Sequence, residues 1–134
     1  MKFSHKLSDA VHLLAYIEIF PDDDLSSRAI ARSIVTNPSM VRSLMMDLRK
    51  AGFLKTKQGS AEPELAKKPE EISLYDIFAA VGMEHHLLHV DEDTEQKCPV
   101  GGNIQGPLAK AYAEVEEAAF ARCGRSACGK LSIR

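Results

Sequence analysis

Residues 25–56 read LSSRAIARSIVTNPSMVRSLMMDLRKAGFLKT, and the reading of this stretch decides the fold. Ser26 and Ser27 offer side-chain oxygens to the open N–H groups of a helix start. Ala29, Ile30 and Ile34 give that helix an apolar side. Thr36-Asn37-Pro38 ends it, because proline cannot donate in a helix interior and pushes the preceding residue to extended backbone. Pro38 or Ser39 opens a second helix, in which Val41, Leu44, Met45 and Leu48 follow the i, i+3, i+4, i+7 spacing of a buried face. Gly52 closes it as a left-handed cap, and Phe53, Leu54 and Lys55 begin an extended segment. Two short helices crossing at a tight turn, then a strand pair, predict a mainly α fold with a small β wing. That winged helix-turn-helix lays its second helix in a DNA major groove.

The other face of the second helix carries Ser39, Arg42, Ser43, Met46 and Arg49, with Lys50 at its end. Between Ser26 and Lys57 stand seven basic residues (Arg28, Arg32, Arg42, Arg49, Lys50, Lys55, Lys57) against one acid, Asp47, in a chain of net charge −2. The positive charge is therefore concentrated, which is the electrostatic footprint of phosphate binding. A solvated basic face would carry the same charge, but its coincidence with the helix-turn-helix pattern favours DNA. The core stripe forces Arg42 outward, toward base edges, with Ser39, Ser43 and Met46 beside it and Arg49 further along the same face. Arg28, Lys55, Lys57 and the N-terminal Lys2 are expected to serve phosphates.

The neighbouring segments fit this frame. A first helix is expected over residues 4–19, with Phe3, Leu7, Ala10, Val11, Leu14 and Ile17 inward. The wing is expected from Phe53 to about Ala66 with Gly59 at its tip. Its Glu62 and Glu64 oppose phosphate, so contact through Lys57, Gln58, Gly59 and Ser60 and a simple core-closing hairpin weigh equally. A helix capped near Ser73 presents Leu74, Ile77, Phe78 and Val81 inward and stops at Gly82. The last long helix should begin near Gly102 or Asn103 and end near Cys123. Ile104, Leu108, Ala111, Val115 and Ala118 recur there at intervals of four and three, the stripe of a helix that packs on another long helix. Helix-turn-helix readers generally meet two half-sites, so a homodimer through this stripe is expected. The chain divides into a DNA-binding domain (1–82), a loop that is the candidate sensing region (83–102), a dimerisation helix (103–123) and a polar tail (124–134).

The opening MKFSHKLSDAVHLLAYI, the helix-turn-helix, KPEEISLYDIFAAV and KCPVGGNIQGPL together resemble the Rrf-type (BadM-type) bacterial winged-helix regulators over roughly residues 1–120. The resemblance implies a homodimeric transcription factor, usually a repressor, on a partly palindromic double-stranded DNA operator. The wing departs from the family, whose wings are often rich in glycine and basic residues. Several members hold an iron–sulfur cluster on three cysteines grouped in the loop before the dimer helix. Here that loop holds Cys98 alone, while Cys123 and Cys128 follow 25 and 30 residues later. A helix rising about 1.5 Å per residue would separate them by over roughly 30 Å. The chain therefore reads as a cluster-lacking branch with no cofactor.

Composition narrows the class further. At 134 residues and 45% hydrophobic, the chain suits one domain plus a pairing element. No apolar run approaches a membrane span, and Lys2, His5, Lys6 and Asp9 interrupt any secretory pattern. Three cysteines without framework spacing suit a reducing cytoplasm. Residues 1–69 hold 11 basic and 8 acidic groups, and residues 70–134 hold 6 and 11, a basic reading end and an acidic sensing or pairing end. Cys98, beside Lys97, is the candidate sensing residue, since a nearby cation and an exposed backbone amide lower a thiol pKa; a small buried packing residue is the favoured alternative. Cys123 and Cys128 read as exposed, idle thiols. His85 and His89 would share a helical face, yet Gly82 ends the helix and a surface loop is favoured over a metal site. No catalytic constellation is present, which excludes the common hydrolytic and phosphoryl-transfer classes. A DNA-binding repressor of a small regulon including its own operon, a thiol-sensing version of it, and a winged-helix module acting on a partner enzyme are the competing functions.

Overall fold

Each helix of the reading unit starts on a side chain that satisfies an open backbone donor. In the computed structural model, which describes residues 5–82 and 87–130, the Ser26 hydroxyl accepts from the Ala29 N–H at 3.2 Å and opens α2 (Ser27–Ile34). Asn37, in extended backbone before Pro38, accepts from the Met40 N–H at 2.8 Å and opens α3 (Pro38–Lys50). Such caps contribute about 1 kcal/mol each. Ahead of them lies α1 (Lys6–Ile19). After α3, Gly52 turns the chain at φ +85° into β1 (Leu54–Thr56), which pairs antiparallel with β2 (Pro63–Leu65) in the register Leu54–Leu65, Lys55–Glu64 and Thr56–Pro63. Gly59 takes φ +79° in the turn between them, as the tip expected for the wing.

A 3-10 turn at Pro69–Glu71 leads to α4 (Leu74–Ala80). Ser73 and Asp76 cap it reciprocally, each side chain accepting from the other's backbone N–H at 3.0 Å. The long helix α5 (Gln105–Gly124) follows a loop, and a second 3-10 turn spans Cys128–Lys130. One core joins α1, α2, α3, the wing and α4. Leu13, Leu14, Leu25, Ile30, Leu44 and Leu48 are almost fully enclosed there, with Ile72, Ile77 and Val81.

Several expectations are corrected. The inner face of α1 uses Leu13 and Ala15 besides Ala10, Leu14 and Ile17, because the helix is covered from more than one side. Phe3 and Lys2 lie outside the described residues, as do Glu84, His85 and His86. Helix α2 ends at Val35, which takes the left-handed conformation (φ 65°) two residues ahead of Asn37. Helix α5 begins at Gln105 instead of residue 102 or 103. The reason is steric: a side-chain carbon at Gly101 or Gly102 would meet the Glu95 or Gln96 carbonyl oxygen at 2.5 or 2.6 Å, so both belong to a tight loop. Ile104 consequently flanks the helix.

Candidate nucleic-acid interface

Four buried residues of α3, Val41, Leu44, Met45 and Leu48, hold the helix on the core and fix what its other side shows. Ser39, Arg42, Ser43, Met46, Arg49 and Lys50 are all exposed, Met46 at 56%. Arg42 does not stand free. Its guanidinium donates to the Ser27 hydroxyl on α2 at 3.2 Å, bridging the start of one helix to the second turn of the other. Arg28 and Arg32, one turn apart on α2, are exposed beside an open cleft lined also by Asp24, Ser26, Thr36 and Pro38. The Asp24 carboxylate accepts from the Ser26 N–H at 3.0 Å. That backbone bond, then the Ser26 side chain, hold its pKa below the ordinary carboxylate value, with Arg32 adding to the effect. In the sequence Arg32 stands only as one of the seven basic residues, with no place of its own. Its four-residue spacing from Arg28 was the available signal.

The wing resolves differently. Lys55 is paired across the strands with Glu64 at 3.3 Å, and both side chains are largely exposed. Such a surface pair contributes at most about 1 kcal/mol, so phosphate can replace the carboxylate at small cost. Lys57 is half-buried, with its N–H donating to the Glu62 carbonyl at 2.8 Å. Lys2 falls outside the described residues.

The thiols differ sharply from expectation. Cys98 is exposed, not a packing residue under the helix. The N–H groups of Gly101 and Val100 face its sulfur and hold its pKa below the ordinary thiol value, so of the two expected causes the backbone amide, not the Lys97 cation, provides the effect. Cys123 is half-buried near the end of α5. Cys128, expected in an exposed tail, is buried in the core, and burial pushes its thiol pKa up.

On α5, Leu108 is half-buried while Ala111, Val115 and Ala118 are exposed, Val115 at 58%. Ile104, at 36%, stands before the helix, so the helical stripe proper starts at Leu108. Glu116 is buried and accepts from the Leu87 N–H at 2.6 Å, fixing the chain after α4 against this helix. No helix of the described residues is long and apolar enough to cross a membrane.

A basic, exposed second helix in a helix-turn-helix, backed by a hairpin wing, defines a DNA-binding transcription regulator. The sequence profile of the Rrf2 family, described as an iron-dependent transcriptional regulator, matches residues 3–127, and the chain belongs to that family. A Bacillus subtilis (strain 168) protein named as an HTH-type transcriptional regulator, YwnA, is 37% identical over 113 residues, 84% of each chain. Among solved structures, one described as a DNA-binding protein is 31% identical with a TM-score of 0.71, covering 92% of this chain and 96% of its own. The global cysteine regulator CymR of B. subtilis shares the fold at 18% identity and a TM-score of 0.64, covering 96% and 93%.

The family description raises iron, and the thiols present do not fit a shared site. Cys98 precedes α5, Cys123 lies in its last turn, and Cys128 is enclosed in the core of the reading domain. The helix from Gln105 to Cys123 rises about 27 Å, far beyond the reach of one cluster. Among the described residues, no group of three His, Cys, Asp or Glu side chains could hold a metal ion.

Proposed function

We propose that this regulator is a homodimeric repressor that places α3 of each subunit in successive major grooves of a partly palindromic operator in a small regulon including its own operon. The observation that carries this is the division of α3: its buried stripe leaves Arg42, Ser39, Ser43, Met46 and Arg49 exposed on one side. Arg42 releases Ser27 to reach a base edge, while Arg28, Arg32, Lys55 and Lys57 neutralise phosphates. Dimerisation uses the stripe of Leu108, Ala111, Val115 and Ala118, whose small side chains allow close helix approach, with Ile104 at its margin. The reader works in the cytoplasm, where the DNA is. Titration of the DNA upstream of its own gene tests the reading. Arg42→Ala should lose about 1–3 kcal/mol of binding, whereas unchanged affinity removes that assignment. Wild type that fails to bind in a salt-dependent way would favour a module acting on a partner enzyme instead.

The same reading includes no resident iron–sulfur cluster, because only Cys98 occupies the loop. Protein isolated without oxygen should lack stoichiometric iron and sulfide, and their presence would overturn this. A thiol-sensing form of the repressor is favoured by one observation, the exposed Cys98 sulfur beside two amide donors. A low-pKa, accessible thiol reacts first with oxidants and electrophiles. Operator release by mild oxidant in wild type but not in Cys98→Ser supports it, and equal behaviour of the two refutes it.

A further inference from the structure

The chain leaves α5 at Gly124 and turns back onto the reading domain, where four independent contacts hold it. The Leu74 N–H donates to the Ser126 carbonyl at 2.8 Å, and the Cys128 N–H donates to the Ile72 carbonyl at 2.7 Å, forming a short antiparallel bridge between Ser73 and Ala127. The Cys128 side chain enters the hydrophobic core. Gly129 lies so close to the preceding 3-10 turn that a side-chain carbon would stand 2.9 Å from the Glu70 nitrogen and 3.0 Å from the Pro69 carbonyl carbon. On α5 itself, Phe120 packs against Tyr75 and Phe78 of α4 at centroid distances of 5.7 and 5.4 Å. Helix α4 in turn packs on α1 and on α3.

We infer that Ser126–Gly129 is a clasp that makes the C-terminal end of α5 and the reading domain move as one body. A helix joined to a domain only by packing can roll on it. Paired backbone bonds, a buried side chain and a glycine-tight fit remove that freedom, because each must break for the joint to open. Any tilt of α5 is then passed to α3 through α4 without slack. The functional consequence rests on the dimeric DNA-binding reading above: with rigid clasps, the angle between two α5 helices sets the separation of the two α3 helices. An operator whose half-sites are one helical turn apart is sensitive to that separation.

Spin-label distance measurements test the joint without DNA. Labels at Arg49→Cys on α3 and Glu114→Cys on α5 report it, and labels at Arg32→Cys and Arg49→Cys report the reading domain alone. Cys98→Ser and Cys123→Ser remove competing thiols, and dilution with unlabelled protein isolates distances within one chain. Wild type should give narrow peaks for both pairs. Gly129→Val, and more mildly Gly129→Ala, should lose the narrow α3–α5 peak and keep the internal one. An unchanged α3–α5 peak in folded Gly129→Val overturns the clasp. Loss of both peaks together also overturns it, since the segment would then be part of the domain's fold instead of a joint. In parallel, the variant should lose the wild type's preference among duplexes, selected from random sequence, that differ only in half-site spacing. Wild type that selects no duplex would refute the DNA reading, while the distances still decide the clasp.

Discussion

Val35 carries the largest local conflict among the described residues. It is a β-branched residue at φ 65°, 89% exposed, in the turn between α2 and α3. The left-handed region costs an L-residue roughly 1–2 kcal/mol, and exposure leaves Val35 little packing in return. Val35→Gly relieves that strain and loses about 0.5–1 kcal/mol to unfolded-chain entropy. A net gain of up to about 1.5 kcal/mol is expected in urea unfolding, with the midpoint raised and the slope unchanged. The thiols separate at the same scale. A pKa held low by the Gly101 and Val100 amides keeps Cys98 as thiolate to lower pH than a free thiol. Its alkylation should therefore persist as pH falls below the free-thiol range, while Cys128 stays unreactive until the protein unfolds, because burial keeps it neutral and covered. Mass mapping of timed alkylation across pH checks both statements.

At the scale of elements, α3 depends on its first turn. Asn37 is both the last extended residue before Pro38 and the acceptor for the Met40 N–H. Asn37→Ala should cost about 1 kcal/mol of stability, read by denaturant unfolding. It should weaken DNA binding more than it weakens the fold, because Ser39 lies within the turn that loosens and Arg42 directly follows it. The wing makes the opposite demand. Its ion pair of Lys55 with Glu64 is exposed and weak, so the hairpin owes its place to the buried Leu54 and Pro63 more than to charge.

At the scale of the whole molecule, α5 is a 20-residue helix on which Glu116 alone is buried. Val115 is 58% exposed in the single chain, so Val115→Glu should leave the protomer folded by circular dichroism. In a dimer sealed along this stripe it would bury a charge in each copy, a cost of several kcal/mol. Light scattering should change from dimer to monomer, and operator affinity should fall with it. A wild type that is monomeric at micromolar concentration would end the dimer proposal.

The reading helices, their caps at Ser26 and Ser73, the extended backbone at Asn37 and the glycine-closed turns at Gly52, Gly59 and Gly82 were legible in the sequence. Each is set by a few adjacent residues: a cap needs one oxygen three residues from one N–H, and a helical face needs only its period. Contacts between distant segments were not legible. Nothing local tells that Arg42 will meet Ser27, that Lys55 will face Glu64, or that Cys128 will enter the core beneath Ile72. Cys98 and Cys128 exchanged their expected environments for the same reason. A cysteine has little local preference, and its burial is settled by which segments pack around it. The sequence alone determined the winged helix-turn-helix and the face of α3 turned outward. Only the tertiary structure decided where the thiols lie and how α5 is fastened, because burial and backbone pairing across fifty residues depend on the packing of the whole chain.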